Sequence, residues 1–321
     1  MKKTGLVVLY NHNYEKNIPI IRSLYEKRFS SIIQLMPFYR GNDRDVVRVH
    51  GNSFQFHGYI AQAREHMQQM DCEDYLIIGD DLLLNPEIGE DNVHEHLNVP
   101  AGAFYIDGLV NISSGKCYRA TAEAHRFDPS SAGLDGTVNA LVPSYEEALV
   151  KLRAQELLDS EKLSRYTPFY PLWMKPVHKH AYANYKIFKA RVFHFLRMLR
   201  YKLFPEKMAY PCVFGYSDIV LVPKARLDEW CGYLEVFASW RMFVELAIPT
   251  SLMLLPGATV CFASKLKPGN LWYPQNPGHF DRIEKLIKTL TESSGGNREN
   301  LELCFPGDYL YLHPVKLSQF R

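Results

Sequence analysis

The segment Glu73-Asp74-Tyr75-Leu76-Ile77-Ile78-Gly79-Asp80-Asp81 decides the fold. Its centre is a short, unbroken apolar run, the pattern of a strand buried on both faces. It stops at two adjacent carboxylates. Upstream, Gly5-Leu6-Val7-Val8-Leu9-Tyr10 has the same character and ends at Asn11-His12-Asn13. Between the two runs the pattern predicts a helix over residues 14–27, a strand over residues 31–37 and a helix over residues 56–69. Alternating strands and helices imply right-handed crossovers and an α/β, mainly parallel sheet flanked by helices. Ligands bind such sheets beyond the carboxyl ends of the strands. Asn11-His12-Asn13 and Asp80-Asp81 are therefore the first places to look for a site.

The chain has 321 residues, enough for one large domain or two small ones. Hydrophobic residues make up 47% and charged residues 22%, which argues against wholesale disorder. The formal net charge of +2 is too small for a chain that binds nucleic acid over its whole surface, so no nucleic-acid partner is expected. The longest apolar stretch, residues 246–263, is broken by Pro249 and Pro256 and does not read as a membrane span. Residues 6–10 are too short for the apolar core of a signal peptide. The six cysteines are scattered without a CxxC pair and read as reduced thiols in a cytoplasmic protein.

The second half predicts a strand at Ile219-Val220-Leu221-Val222-Pro223, helices over residues 225–233, 240–247 and 280–291, and strands over residues 260–263 and 309–314. Residues 143–210 read as an α-rich insertion, opened by one charged helix over residues 143–164 that Ser144-Tyr145-Glu146-Glu147 would start. Within it, residues 175–207 hold nine Lys/Arg against one acid, interleaved with aromatics. Three readings stand: an insertion packed on the core with solvated charges, a surface lying on anionic lipid, or a single-strand binding face. His94-Glu95-His96 has the wrong spacing for one helix face and reads as a solvated loop.

Asp80-Asp81 carries the chemistry. Adjacent carboxylates repel, and a cation relieves the repulsion. Mg²⁺ or Mn²⁺ binds one or two carboxylates together with a substrate's phosphate oxygens. The competing reading is a solvated turn with a capping aspartate. Ala63-Arg64 on a helix, followed by the Asp74 strand closing on Gly79-Asp80-Asp81, resembles the nucleotide-diphosphosugar glycosyltransferases of GT-A (Rossmann-like) fold. The first position of their DxD motif is Gly79 here. The strand at Gly215-Tyr216-Ser217-Asp218 and the acid in Phe243-Val244-Glu245-Leu246 are similar to their acceptor strand and acidic helix, with Leu246 where an Asp often stands.

The resemblance implies one GT-A-like domain over residues 1–321, interrupted by the insertion. It also implies sugar transfer from a nucleoside-diphosphate donor, expected to be UDP-linked, to a hydroxyl of a glycan or lipid-linked glycan. Asp81 and His313 would hold Mn²⁺ or Mg²⁺, and Asp80 would contact the sugar or ribose. Tyr10, Asn11 and His12 would hold the base, with Arg64 near the nucleotide. Lys265 and Lys267 would reach the diphosphate, and Trp272 could stack on base or sugar. Glu245 would be the general base of an inverting reaction, with Glu235 and Asp218 as rivals. A lipid-linked acceptor would suit the inner face of the membrane, with residues 175–207 on its surface. Two alternatives stand beside this reading. One is a nucleotidyltransferase that forms a nucleotide sugar, although Tyr10-Asn11-His12-Asn13-Tyr14 lacks its Gly-rich, basic phosphate loop. The other is a non-catalytic carbohydrate-binding or scaffold protein on the same fold.

Overall fold

A computed structural model describes residues 3–112, 123–124, 126–132, 140–159, 207–271, 278–295 and 297–320, with scattered positions between 188 and 203. The architecture is mixed α/β. A seven-stranded, mostly parallel central sheet is flanked by helices on both faces, with strand order β3-β2-β1-β4-β7-β6-β8. These strands are β1 (Thr4–Leu9), β2 (Ile32–Pro37), β3 (Val46–Val49), β4 (Asp74–Gly79), β6 (Phe104–Val110), β7 (Phe214–Pro223) and β8 (Val260–Cys261). β5 (Leu83–Leu84) pairs antiparallel with β9 (Tyr311–Leu312) in a separate ribbon. The pairings β1–β2, β1–β4, β2–β3 and β6–β8 are parallel. β7 runs against both its neighbours, β4 and β6.

Every residue of β1 and β4 is buried, so each strand feeds both layers of core. Val7, Leu9, Tyr75, Ile77, Val220 and Val222 face one layer. This layer is covered by α2 (Phe56–Gln62), α6 (Leu227–Ser239) and α7 (Val244–Leu254). Leu6, Val8, Leu76, Ile78, Ile219 and Leu221 face the other. There α1 (Ile18–Tyr25), α4 (Val93–Leu97) and α8 (His279–Ser293) pack with the C-terminal segment. The period-two alternation of a strand makes this division automatic.

Several elements depart from expectation. The helix foreseen over residues 14–27 is a 3-10 turn at Glu15–Asn17 followed by α1. That over residues 56–69 breaks at Ala63 into α2 and α3 (Arg64–Gln68). α5 (Tyr145–Ala154) starts on the Ser144–Glu147 capping box, but it stops at Ala154. The stretch expected as a basic insertion, including most of residues 175–207, lies largely outside the described residues, as does Trp272. α7 continues through Pro249. Its sides are buried almost all round, and Thr250 Oγ1 accepts from the Val213 N–H at 3.0 Å. His94 is not solvated. Its Nδ1 lies 3.1 Å from the Val99 carbonyl and its Nε2 3.0 Å from the buried Asp74 carboxylate, fastening α4 to the start of β4. Among the described residues no helix is long and apolar enough to cross a membrane.

His57, on α2, is wholly buried, and beyond the Phe237 backbone its ring nitrogens meet no hydrogen-bonding partner. Burial pushes its pKa down to about 3, with the Phe237 backbone opposing only in part. The unfolded chain takes up this proton near pH 6.5, so the folded state loses stability as pH falls from there towards 3. The loss is at most about 1.4 kcal/mol per pH unit. His57→Leu should remove this slope, so urea denaturation at pH 6.5 and 4.5 should show a smaller drop in the variant than in wild type.

Candidate functional site

At the carboxyl end of β4 the chain turns through Asp80 and Asp81, and the two carboxylates part. Asp80 is buried beneath the sheet edge. It accepts from the Asn11 N–H at 3.1 Å, from Asn11 Nδ2 at 3.4 Å and from Asn17 Nδ2 at 3.1 Å. Burial, and then the charge of Asp81, push its pKa up to about 7 against those hydrogen bonds. Asp81 faces outward into a cleft of about 200 Å³. The cleft is also lined by Asn11, Ser53, Phe54, Phe56, Asp218, Phe243, Val244, Glu245 and His313.

Asp218 reaches the cleft because β7 bulges. Ile106 stands opposite Val220, but its neighbour Asp107 stands opposite Tyr216, so residues 217–219 have no counterpart on β6. Bulges re-aim side chains in this way. The strands close up again through Gly108, at φ +77°, and Gly215, where an added Cβ would meet the Gly108 carbonyl oxygen at 2.8 Å. Glu245 sits in the first turn of α7, where the helix dipole favours a carboxylate. The helix start is tied to the bulge by Ser217 Oγ, 3.4 Å from the Val244 carbonyl.

His313 arrives from the far end of the chain. Its N–H donates to the Gly269 carbonyl at 3.1 Å, and the Val315 N–H donates to the Asp81 carbonyl at 2.7 Å. Its Nε2 lies 3.3 Å from Asp81 Oδ1 and 3.7 Å from Asp218 Oδ1. Its Nδ1 lies 3.4 Å from Asn270 Oδ1. Asn270 in turn donates to Asp218 at 3.2 Å, and its carbonyl lies 2.6 Å from His279 Nε2. Burial disfavours a charge on His313, but Asp218, Asp81 and Glu245 outweigh it and hold the pKa up at about 9.

A divalent cation would take Asp81, His313 and, with a small shift, Asp218. The chemistry fits: an Asn270 oxygen facing Nδ1 leaves Nε2 aimed at the carboxylates, as in metal sites where the second ring nitrogen donates to an acceptor. No group of three or more His, Cys, Asp or Glu side chains is drawn together to hold an ion among the described residues.

Of the residues singled out in the sequence, Asn11, Asp81, Asp218, Glu245 and His313 meet at this cleft, with Asp80 beneath it. Six others do not. The Tyr10 ring is wholly buried and its hydroxyl donates to Gln34 Oε1 at 2.6 Å, so it offers no face to a base. His12 is exposed and does not line the cleft. Arg64 and Glu235 pair with each other at 3.9 Å on the flank between α3 and α6, where Arg64 also approaches Asp228 at 3.7 Å. Lys265 pairs with Glu95 at 3.1 Å and Lys267 with Asp308 at 2.8 Å. Sequence reading missed the aromatic wall of Phe54 and Phe243, whose ring centroids lie 5.9 Å apart. It also missed Asn17, Asn270 and Asp107. Asp107 had left a signal, an acid inside the apolar run Phe104-Tyr105-Ile106-Asp107-Gly108-Leu109-Val110.

Comparison with known protein families returns no match. Comparison with curated proteins also returns none. The functional reading therefore rests on the residues themselves.

Gly269 is where the loop bearing Asn270 meets the strand bearing His313. An added Cβ would lie 1.9 Å from the Tyr311 carbonyl oxygen and 2.9 Å from Leu312 Cδ2. Gly269→Ala should cost roughly 2–4 kcal/mol by urea denaturation, with Gly307→Ala, exposed and with no atom near the added Cβ, as the comparison.

Proposed function

We propose that this chain is a glycosyltransferase of GT-A-like fold that moves a sugar from a nucleoside-diphosphate donor to a hydroxyl of a glycan or glycolipid. One observation carries the reading: Asp81 after β4, Asp218 on the reversed strand β7, Glu245 on α7 and His313 from the C-terminal segment converge on one cleft. The strand order and the single reversed strand in an otherwise parallel sheet support the resemblance.

Asp81 and His313 would hold Mn²⁺ or Mg²⁺, with Asp218 beside them. The ion's contribution when bound is to neutralise charge on the departing diphosphate. Asn11 and Ser53 provide polar groups at the rim, and Phe54 and Phe243 provide an apolar wall for a sugar face. Glu245 accepts the acceptor hydroxyl's proton in an inverting reaction. Asp218 is the rival base in the same cleft, whereas Glu235 is engaged with Arg64 elsewhere. Most of the acceleration would come from orientation and fixed charge. Placement in the cytoplasm, at the inner face of the membrane through residues 175–207, belongs to the same proposal.

A second reading, a carbohydrate-binding protein without catalysis, is favoured by the lining itself. No Lys or Arg occurs among the described lining residues, and carboxylates opposite aromatic rings suit a neutral polyhydroxylated ligand.

A thermal-shift panel of UDP, GDP, CDP, ADP and CMP, each with and without Mn²⁺, separates the two. The transferase reading expects a metal-dependent shift with one nucleoside diphosphate, lost in Asp81→Ala and kept in Glu235→Gln. Stabilisation by free sugars alone, indifferent to Mn²⁺ and to Asp81→Ala, would favour the binding protein. With a donor identified, Glu245→Gln should keep donor binding and lower turnover by about 10²–10⁴-fold, the usual contribution of a general base.

A further inference from the structure

We propose that the buried hydrogen bond between Tyr311 and Asp107 is the positioning element of the cleft, fixing both the strand that delivers His313 and the bulge that delivers Asp218. The inference rests on reading Asp81, Asp218 and His313 as the site. Asp107 is 4% exposed and Tyr311 is wholly buried. The Tyr311 hydroxyl donates to Asp107 Oδ2. Neither residue lines the cleft, so both act through others.

Two connections carry the argument. First, Asp107 occupies the β6 position at which the register with β7 jumps, and residues 217–219, next after its partner Tyr216, have no counterpart on β6. The Asp107 charge also faces Asp218. Second, Tyr311 stands two residues before His313 in an extended segment, so the two side chains project to the same side. Fixing the Tyr311 ring therefore fixes the approach of His313. An ionised carboxylate inside an apolar strand is unfavourable unless it is hydrogen-bonded. Leucine and phenylalanine would fill the same space but impose no direction. A carboxylate–phenol bond does, because it is short-ranged and angular in a medium of low dielectric.

The test is hydrogen exchange read by mass spectrometry on the full chain. The amides of His313 and Val315 donate to Gly269 and Asp81 and report directly on this segment. In Tyr311→Phe they should exchange at least about tenfold faster, the scale of losing one buried hydrogen bond to a carboxylate. Amides of β1 and β4 should keep their wild-type rates. Asp107→Asn retains an acceptor for the phenol and should keep wild-type exchange, whereas Asp107→Leu should match Tyr311→Phe. Unchanged exchange in Tyr311→Phe would overturn the proposal. So would an equal acceleration across β1 and β4, which would mean that the bond adds only to overall stability. If Tyr311→Phe does not fold, the Asp107→Asn and Asp107→Leu pair decides, and equal rates in the two overturn the proposal. These readings are taken on the free protein. Failure of nucleotide binding therefore leaves the test intact, and failure of the latch leaves the functional reading open to its own experiment.

Discussion

Asp80, Asp81, Asp107 and Asp218 all come to one end of one sheet, and two of them are almost entirely buried. Like charges a few ångströms apart repel by several kcal/mol even at the effective dielectric near a protein surface, about 4 kcal/mol at 4 Å. The surrounding structure is arranged to relieve that repulsion. Asn11 and Asn17 donate to Asp80, Asn270 donates to Asp218 and Tyr311 donates to Asp107. His313 stands between Asp81 and Asp218, whose charges favour its protonated form, a proton that a bound metal ion would displace. Asp80 and Asp107 hold protons more readily than ordinary carboxyls, with pKa values raised to about 7 and about 6, chiefly by burial. Relief thus needs groups from the first strand, the middle of the chain and the C-terminal segment together. The ends of the chain close on each other because the carboxylates require it.

Backbone geometry makes that closure possible. The C-terminal segment passes so close to the loop at Gly269 that no side chain fits there, and the bulged strands β6 and β7 meet again at Gly108 and Gly215. Each close approach lets two main chains exchange direction over a short distance, and each delivers one side chain to the cleft. The bulge brings Asp218. The Gly269 crossing brings His313 and Asn270 as a pair. This explains why an acid and an imidazole far apart in sequence stand 3.7 Å apart.

What could be read from the sequence follows the same division. β1 and β4 were legible because strands buried on both faces carry unbroken apolar runs, here Leu6–Leu9 and Tyr75–Ile78, and their polar ends marked the edge where Asn11, Asp80 and Asp81 lie. Asp218, Glu245 and His313 were singled out only through the family resemblance, which implied an acceptor strand, an acidic helix and a late histidine. What failed was partnership. Nothing in the local pattern of Lys265, Lys267 or Arg64 tells whether each faces a ligand or the nearest acid, because that depends on Glu95, Asp308 and Asp228 arriving from other elements. Tyr10 failed for a related reason. The resemblance put it against the base, yet its hydroxyl donates to Gln34 on the adjacent strand within the core. β3 was missed because only alternate residues of this edge strand are well buried, and His94 was misread because its partner Asp74 lies at the start of a distant strand.

The pairing of those cations also bears on what the cleft can accept. An anionic ligand meets Asp81, Asp218 and Glu245 with His313 as the cationic side chain among the described lining residues. A diphosphate would therefore need added positive charge, from a divalent ion or from a recruited side chain. The ion pairs that hold Lys265 and Lys267 are exposed, and solvent screening leaves such pairs weak. Breaking one costs less than a single charge-assisted hydrogen bond to a phosphate returns, about 1.5–3 kcal/mol. Lys267 is also tethered close to the site, since its backbone pairs with the segment around Tyr309 and Leu310 that leads into His313. The acidic cleft and the committed lysines are thus compatible with a charged donor whose arrival rearranges weak surface pairs and leaves the buried network of Asp80, Asp107, Asn270 and His313 as it stands.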